Sequence, residues 1–309
     1  MNRLVAMATL LAVLAAGSEA PARQETGKKL SELQKAQLVL ESTAVQAAQT
    51  IATTVKEEPV ALVDLRPAID HPAAAANAPI LQNYMMQAFL KEGLLAFAYE
   101  QERKLEVKYS KDGKLTRTLP LAASDVKTLL DRKVRYALVP QLAAKDSGSA
   151  VTIDLYSLEN LQLVGGAVIG PIPTKKFPLA ALCSAEVLPA LNVKVLSFAA
   201  ANFGRQVDRG ECWDLPAIPL RDSKAKVDGY VFGKDIPWEQ GKAGDVITFG
   251  TDGATGGHVV VLYKWTAKRA EATILHQNVN NIRKVMFGNL GRVESGKSGQ
   301  KFALWRPQQ

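Results

Sequence analysis

Residues 170 to 189 read "GPIPTKKFPLAALCSAEVLP", with four prolines in twenty residues. Proline has no backbone N–H and locks φ near −65°. Neither a central strand nor a long helix can run through such a stretch. The chain must therefore be organised in two halves, and its 309 residues are enough for two domains. The expectation is a domain over residues 21–173, a linker over 174–192, and a second domain over 193–309. A helical stretch begins near Leu191. Cys183 lies inside the divider among Leu and Ala, where its simplest role is a small packed hydrophobe.

The first half opens with Lys28 to Glu58, rich in Ala, Leu and Gln and free of proline, which predicts a long helix. "PVALVDLRP" follows, an apolar run between prolines that reads as a buried strand. Leu81, Met85, Phe89 and Leu90 then recur at helical spacing before Gly93, a stop signal, and a second short apolar strand. A short helix is predicted near Ser124 to Asp131. Beyond it "YALVPQLAAKDSGSAVTIDLYSLENLQLVGGAVIG" carries three strand-length apolar pieces split by "KDSGSA" and "SLEN", which is turn chemistry. An α/β opening that closes in a β-meander is the expected order. The second half places strands at "AGDVITFG", "GGHVVVLYKW" and "EATILHQNVNN". The fold class expected is α+β, with an antiparallel sheet in the second domain.

The first twenty residues are expected to form a secretory signal peptide. Arg3 precedes an apolar run from Leu4 to Ala16, and Ser18 and Ala20 stand at the minus-three and minus-one positions of a cleavage site. A run this short cannot cross a hydrocarbon layer of roughly 30 Å, so no stable membrane span is expected. In "LAAGS" the position of an acylated cysteine holds Ser18. The expected location is periplasmic or extracellular. Lys and Arg number 38 against 30 Asp and Glu, a formal net charge of +8. After export that excess favours anionic envelope polymers over nucleic acid, and no nucleic-acid partner is expected.

Chemistry is concentrated in the second half. "DRGECWDL" holds Cys212, one of two cysteines, and two of the three histidines, His258 and His276, lie downstream of it. Three roles stay open for Cys212: a nucleophile, half of a Cys183–Cys212 disulfide favoured by an oxidising compartment, or a buried hydrophobe. A thiol attacks as thiolate, and a neighbouring imidazole that takes its proton generates it. Cys212 precedes an expected helix start, whose dipole would also lower the thiol pKa. His258 at the head of a strand is the candidate base. Alternation along the next strand puts His276 and Asn278 on one face and Gln277 on the other, so His276 or Asn278 is the candidate orienting group. Pro216 and Pro219 require a short, kinked or late-starting helix after Cys212. A zinc site built from Cys212, His258 and His276 would lack the closely paired ligands of structural zinc sites. No metal or cofactor is expected. His71, in "AIDHPAA", reads as a loop residue.

Two resemblances follow from these stretches. Residues 55–172, through "VALVDLRP", "RYALVPQLAA" and "VTIDLYSLENLQLVGGAVI", resemble the FlgO-like and CsgG-like envelope domains with a TolB N-terminal-like fold. That likeness implies a binding or assembly module with an envelope protein partner and no catalytic residue. Residues 193–309, through "GECW", "AGDVITF", "GHVVVLY" and "HQNVN", resemble the papain-like NlpC-type and CHAP cysteine peptidases and amidases. This implies a hydrolase acting on peptide or amide bonds of peptidoglycan or another envelope polymer. Cys212 would be its nucleophile, His258 its base, and His276 or Asn278 its third member. Gln206, six residues before Cys212, holds the spacing of an oxyanion donor in that family. The alternative is a non-catalytic envelope binding or assembly protein with a degenerate papain-like domain.

Overall fold

The computed structural model describes residues 30–67, 72–99, 119, 121–145, 148–184, 187–250, 257–265, 271–291 and 301–309. The expected signal peptide and His71 lie outside the described residues. The first helix, α1 (Glu32–Val55), buries Ala36, Leu40, Ala44, Ala47, Ala48, Ile51 and Val55, one apolar stripe at helical spacing. β1 (Val60–Val63) is buried on both faces, as its unbroken apolar sequence requires of a central parallel strand. After β2 (Arg66–Pro67), α2 (Pro72–Lys91) crosses over to β3 (Ala96–Tyr99), which pairs parallel with β1. Gly93, at φ 77°, ends that crossover helix as expected.

α3 (Ala123–Asp131) leads to β4 (Tyr136–Lys145), parallel to β1 on its other side. β5 (Gly148–Ser157) and β6 (Gln162–Ile172) complete an antiparallel meander, so the sheet order is β3-β1-β4-β5-β6 with β2 paired to β4. A mixed sheet of this kind matches the α/β opening and the meander read from the sequence.

The proline-rich divider is held along the first half. It contains a short helix, α4 (Leu179–Leu182), capped by Cys183. Gln37 Nε2 of α1 donates to the Ala181 carbonyl at 2.8 Å and to Ser184 Oγ at 3.1 Å. Gln87 Oε1 of α2 accepts the N–H groups of Val187 and Leu188 at 3.2 and 3.4 Å. The chain then enters α5 (Ala190–Ala201), which packs against β3 of the first sheet, and α6 (Asp214–Asp222), which packs against α5.

The remaining strands are β7 (Lys234–Asp235), β8 (Val246–Gly250), β9 (Val259–Trp265), β10 (Glu271–His276), β11 (Met286–Gly291) and β12 (Lys301–Arg306). They form a second sheet in the order β11-β10-β9-β8-β12-β7, antiparallel throughout. The protein is thus α+β with two sheets. One apolar cluster runs from α1 and the first sheet through α5 and α6 to the inner face of the second sheet. A smaller cluster, with Ile247, Val260, Leu262 and Ile274, covers the second sheet's outer face.

Candidate active site

The site forms where the turn before α6 meets the neighbouring ends of β9 and β10. Cys212 occupies that turn and is 8% exposed. α6 starts two residues later, so Cys212 lies just ahead of its N-terminus. α6 is short, nine residues, and Pro219 lies inside it, where it has no N–H for the Leu215 carbonyl. Pro216 falls in its first turn, where a missing N–H loses no partner.

α6 packs against β9, whose first residue, Val259, follows His258, so the turn that carries Cys212 lies near the strand headed by the histidine. His258 is flanked by two rings. Phe249 stacks on it with centroids 6.3 Å apart and planes at 16°. His276, the last residue of β10, stands edge-on with centroids 5.9 Å apart and planes at 69°. Nε2 of His258 and Nδ1 of His276 are both buried and make no hydrogen bond. Two orphaned nitrogens on adjacent imidazoles are an unusual pair to bury, since each costs the desolvation of a polar group.

Burial dominates the electrostatics. It pushes the Cys212 thiol up, against the opposing pull of nearby backbone N–H groups, and the Glu211 charge adds to the rise. It lowers His258 to about 4, with neighbouring His276 lowering it further. It also lowers His276, partly offset by a hydrogen bond with the Phe287 backbone. The thiolate–imidazolium pair suggested by the helix-start argument therefore has no support at rest, because burial disfavours both charges. Thiol and imidazole are neutral near pH 7.

The remaining sequence candidates are placed differently. Asn278 is not directed to His258: its Nδ2 donates to Glu211 Oε2 at 2.9 Å. β10 ends at His276, and Asn278 takes a left-handed φ of 64°, so strand alternation no longer governs it. The chain then turns tightly between Val279 and Ile282 through Asn280 and Asn281, at φ 51° and 63°. Two positive values at a tight turn suit asparagine. Gln206 is exposed, and its Nε2 donates to the Asp208 carbonyl at 2.9 Å along its own loop.

Residues that the sequence did not single out hold the turn in place. Asp214 is 1% exposed; its Oδ2 accepts the Glu211 N–H at 3.1 Å and its Oδ1 accepts Arg209 Nη2 at 2.6 Å. An acid in the first helical turn beside a candidate nucleophile was the available signal. Phe249 had none, because an aromatic in a strand normally reads as core. Cys183 and Cys212 are both free thiols. Cys183 is pushed up to about 11 by burial. Among the described residues no group of three or more His, Cys, Asp or Glu side chains could hold a metal ion. No described helix is long and apolar enough to cross a membrane.

No family model matches the chain, and no curated protein does. Among solved structures it is similar to Ly7917 with the hydrolyzing product of MDP, at 20% identity and a TM-score of 0.28 over 38% of this chain. The match spans 63% of the Ly7917 chain, under two thirds of its length. The LpoB C-terminal domain from Salmonella enterica is 13% identical, with a TM-score of 0.27 over 42% of this chain and 95% of that one. PelC, a dodecamer from Paraburkholderia phytofirmans, is 16% identical, with a TM-score of 0.27 over 45% of this chain and 85% of that one.

Proposed function

We propose that the protein is an exported cysteine hydrolase of envelope peptide or amide bonds, with Cys212 as nucleophile and His258 as base. The observation that carries this reading is the pair of adjacent imidazoles, His258 and His276, whose buried nitrogens lack partners, with the residue before Cys212 held to the end of β10 by Gln277. His276 is favoured over Asn278 as the third member, because it stands beside the His258 ring while Asn278 is engaged by Glu211. Gln206 would have to leave the Asp208 carbonyl to act as an oxyanion donor.

With both groups neutral at rest, attack and proton transfer are concerted. The Cys212 sulfur adds to the carbonyl carbon as its proton passes to His258, giving a tetrahedral oxyanion and an imidazolium. Collapse breaks the C–N bond, and the leaving amine takes the proton from His258. Water, deprotonated by His258, then hydrolyses the thioester and returns the thiol. His276 sits beside the ring that becomes charged, and its unpartnered Nδ1 is available to accept from the imidazolium N–H that takes no part in the transfer, while the other ring nitrogen exchanges the proton with the thiol and the leaving amine. The substrate class comes from the papain-like resemblance: peptide or amide bonds of peptidoglycan.

The test is turnover of purified peptidoglycan by the mature chain. Release of new amino groups that Cys212→Ala abolishes and that His258→Ala lowers by about 10²-fold or more supports the reading. Equal release by wild type and Cys212→Ala rejects it.

A second reading is favoured by one observation, the burial of Cys212 beneath the surface with its thiol pushed up. It makes the protein a non-catalytic envelope binding or assembly module whose first half, through residue 173, takes a protein partner. Binding to insoluble peptidoglycan that Cys212→Ala leaves intact, with no turnover, would select it.

A further inference from the structure

Gln277 lies between His276 and Asn278 and is fully buried, 0% exposed. A buried primary amide must find partners for two donors and an acceptor, and this one finds them on a single segment, residues 207–211. Its Oε1 accepts the Val207 N–H at 3.0 Å. Its Nε2 donates to the Val207 carbonyl at 3.1 Å and to the Glu211 carbonyl at 2.6 Å. Gln277 thus pairs with both backbone groups of one residue, as a strand neighbour would, and reaches the carbonyl immediately before Cys212. Asn278 adds the bond to the Glu211 side chain. Within the segment, the Gly210 N–H reaches the Val207 carbonyl at 2.9 Å, and Gly210 takes a φ of 84°. A Cβ on Gly210 would come to 2.8 Å from Arg283 Cδ.

These contacts tie the segment ahead of Cys212 to the end of β10, the strand whose last residue is His276. We infer that Gln277 is the positioning residue that sets Cys212 against His258 and His276, by clamping residues 207–211 to the β10 terminus. The inference rests on the cysteine–histidine reading above. Gln277 touches no reacting atom; it acts through the loop. Losing the clamp frees the turn, exposes the thiol and separates it from the imidazole.

The experiment measures alkylation of Cys212 by iodoacetamide against pH in the full chain, with site-resolved mass spectrometry following Cys183 in the same sample. Wild type, Gln277→Leu, Gln277→Glu, His258→Ala and the double variant Gln277→Leu/His258→Ala are compared. Burial holds the wild-type thiol above its ordinary value of about 8.5, so release by Gln277→Leu moves the Cys212 midpoint down toward that value while Cys183 stays put. Gln277→Glu keeps the volume and the acceptor for Val207 N–H but loses both donors, and moves the midpoint in the same direction. At pH 7 the ratio of Cys212 labelling rates with and without His258 falls to about one in the Gln277→Leu background.

An unchanged Cys212 midpoint in Gln277→Leu overturns the inference whatever else is seen, as does full retention of the His258 dependence. If the midpoint falls but wild-type labelling never depended on His258, the clamp stands and the hydrolase reading fails. If Gln277→Leu unfolds, Cys183 drops with Cys212, and Gln277→Glu decides by the same midpoint.

Discussion

At the scale of single residues, a histidine held at about 4 by burial makes the fold sensitive to acid. The folded-state value lies below the unfolded value of about 6.5, so between those pH values the unfolded chain binds a proton that the folded chain does not. The stability contribution is complete above about 6.5 and is lost as pH falls toward 4. His276 is lowered too and adds to the same trend. A melting series from pH 7.5 to 4.5 should show a falling midpoint, and His258→Gln should flatten it; parallel curves would contradict the burial argument. The thiols give a second prediction. Neither Cys183 nor Cys212 is bridged, so denaturing alkylation of non-reduced protein should add two labels by intact mass. Zero labels until reductant is present would restore the disulfide that an oxidising compartment made plausible, and would remove the nucleophile with it.

At the scale of elements, one buried charge network anchors the entry to β8. Asp245 is 0% exposed and accepts Arg306 Nε and Nη2 at 3.2 and 2.9 Å, Asn192 Nδ2 at 2.8 Å, and the Lys242 N–H at 2.6 Å. It joins α5, the turn before β8, and the end of β12. Asp245→Ala leaves a guanidinium largely desolvated without its partner and should cost about 3–5 kcal/mol, read as a shift in the urea midpoint at constant slope. Next to it, Gly244 takes a φ of 85°, and a Cβ there would meet the Asn192 carbonyl oxygen at 2.5 Å. Gly244→Ala should therefore destabilise by more than the roughly 1–2 kcal/mol of left-handed strain alone.

Elements of this kind show what a sequence can and cannot carry. The stripe of α1, the unbroken apolar run of β1 and the strands headed or ended by His258 and His276 are local periodic patterns, and each was legible. β11, β12 and the short α4 carry no comparable pattern and were not read. The three clamp bonds of Gln277 join residues 70 and 66 positions apart. Alternation could say that Gln277 faces away from His276, but nothing local says what waits on that side. Asn278 escaped for the opposite reason: the strand ends before it, and a left-handed backbone cancels the alternation that would have paired it with His276.

At the scale of the whole molecule, the question is whether the two sheets unfold together. The apolar cluster is continuous from α1 through α5 and α6 to β9 and β10, and residues Leu33–Gln309 form one compact unit. Polar contacts reinforce the joint. The Tyr263 hydroxyl of β9, buried beside the first half, donates to the Gly93 carbonyl that ends α2, and the Lys264 stem lies against the same glycine. A shared core makes independent melting of either half expensive, because each would expose the apolar face that the other covers. The sequence supplies its own reporter. All four tryptophans, Trp213, Trp238, Trp265 and Trp305, lie after the proline-rich divider, so tryptophan fluorescence follows the second half alone, while far-ultraviolet circular dichroism follows both. We expect urea transitions by the two probes to coincide within error, with one midpoint and one slope. Tyr263→Phe, which deletes only the hydroxyl bridge, should lower that common midpoint by about 1 kcal/mol without separating the probes. A fluorescence transition displaced from the circular dichroism transition in the wild-type chain would show two independently stable domains on either side of residues 174–192, and would overturn the shared-core account.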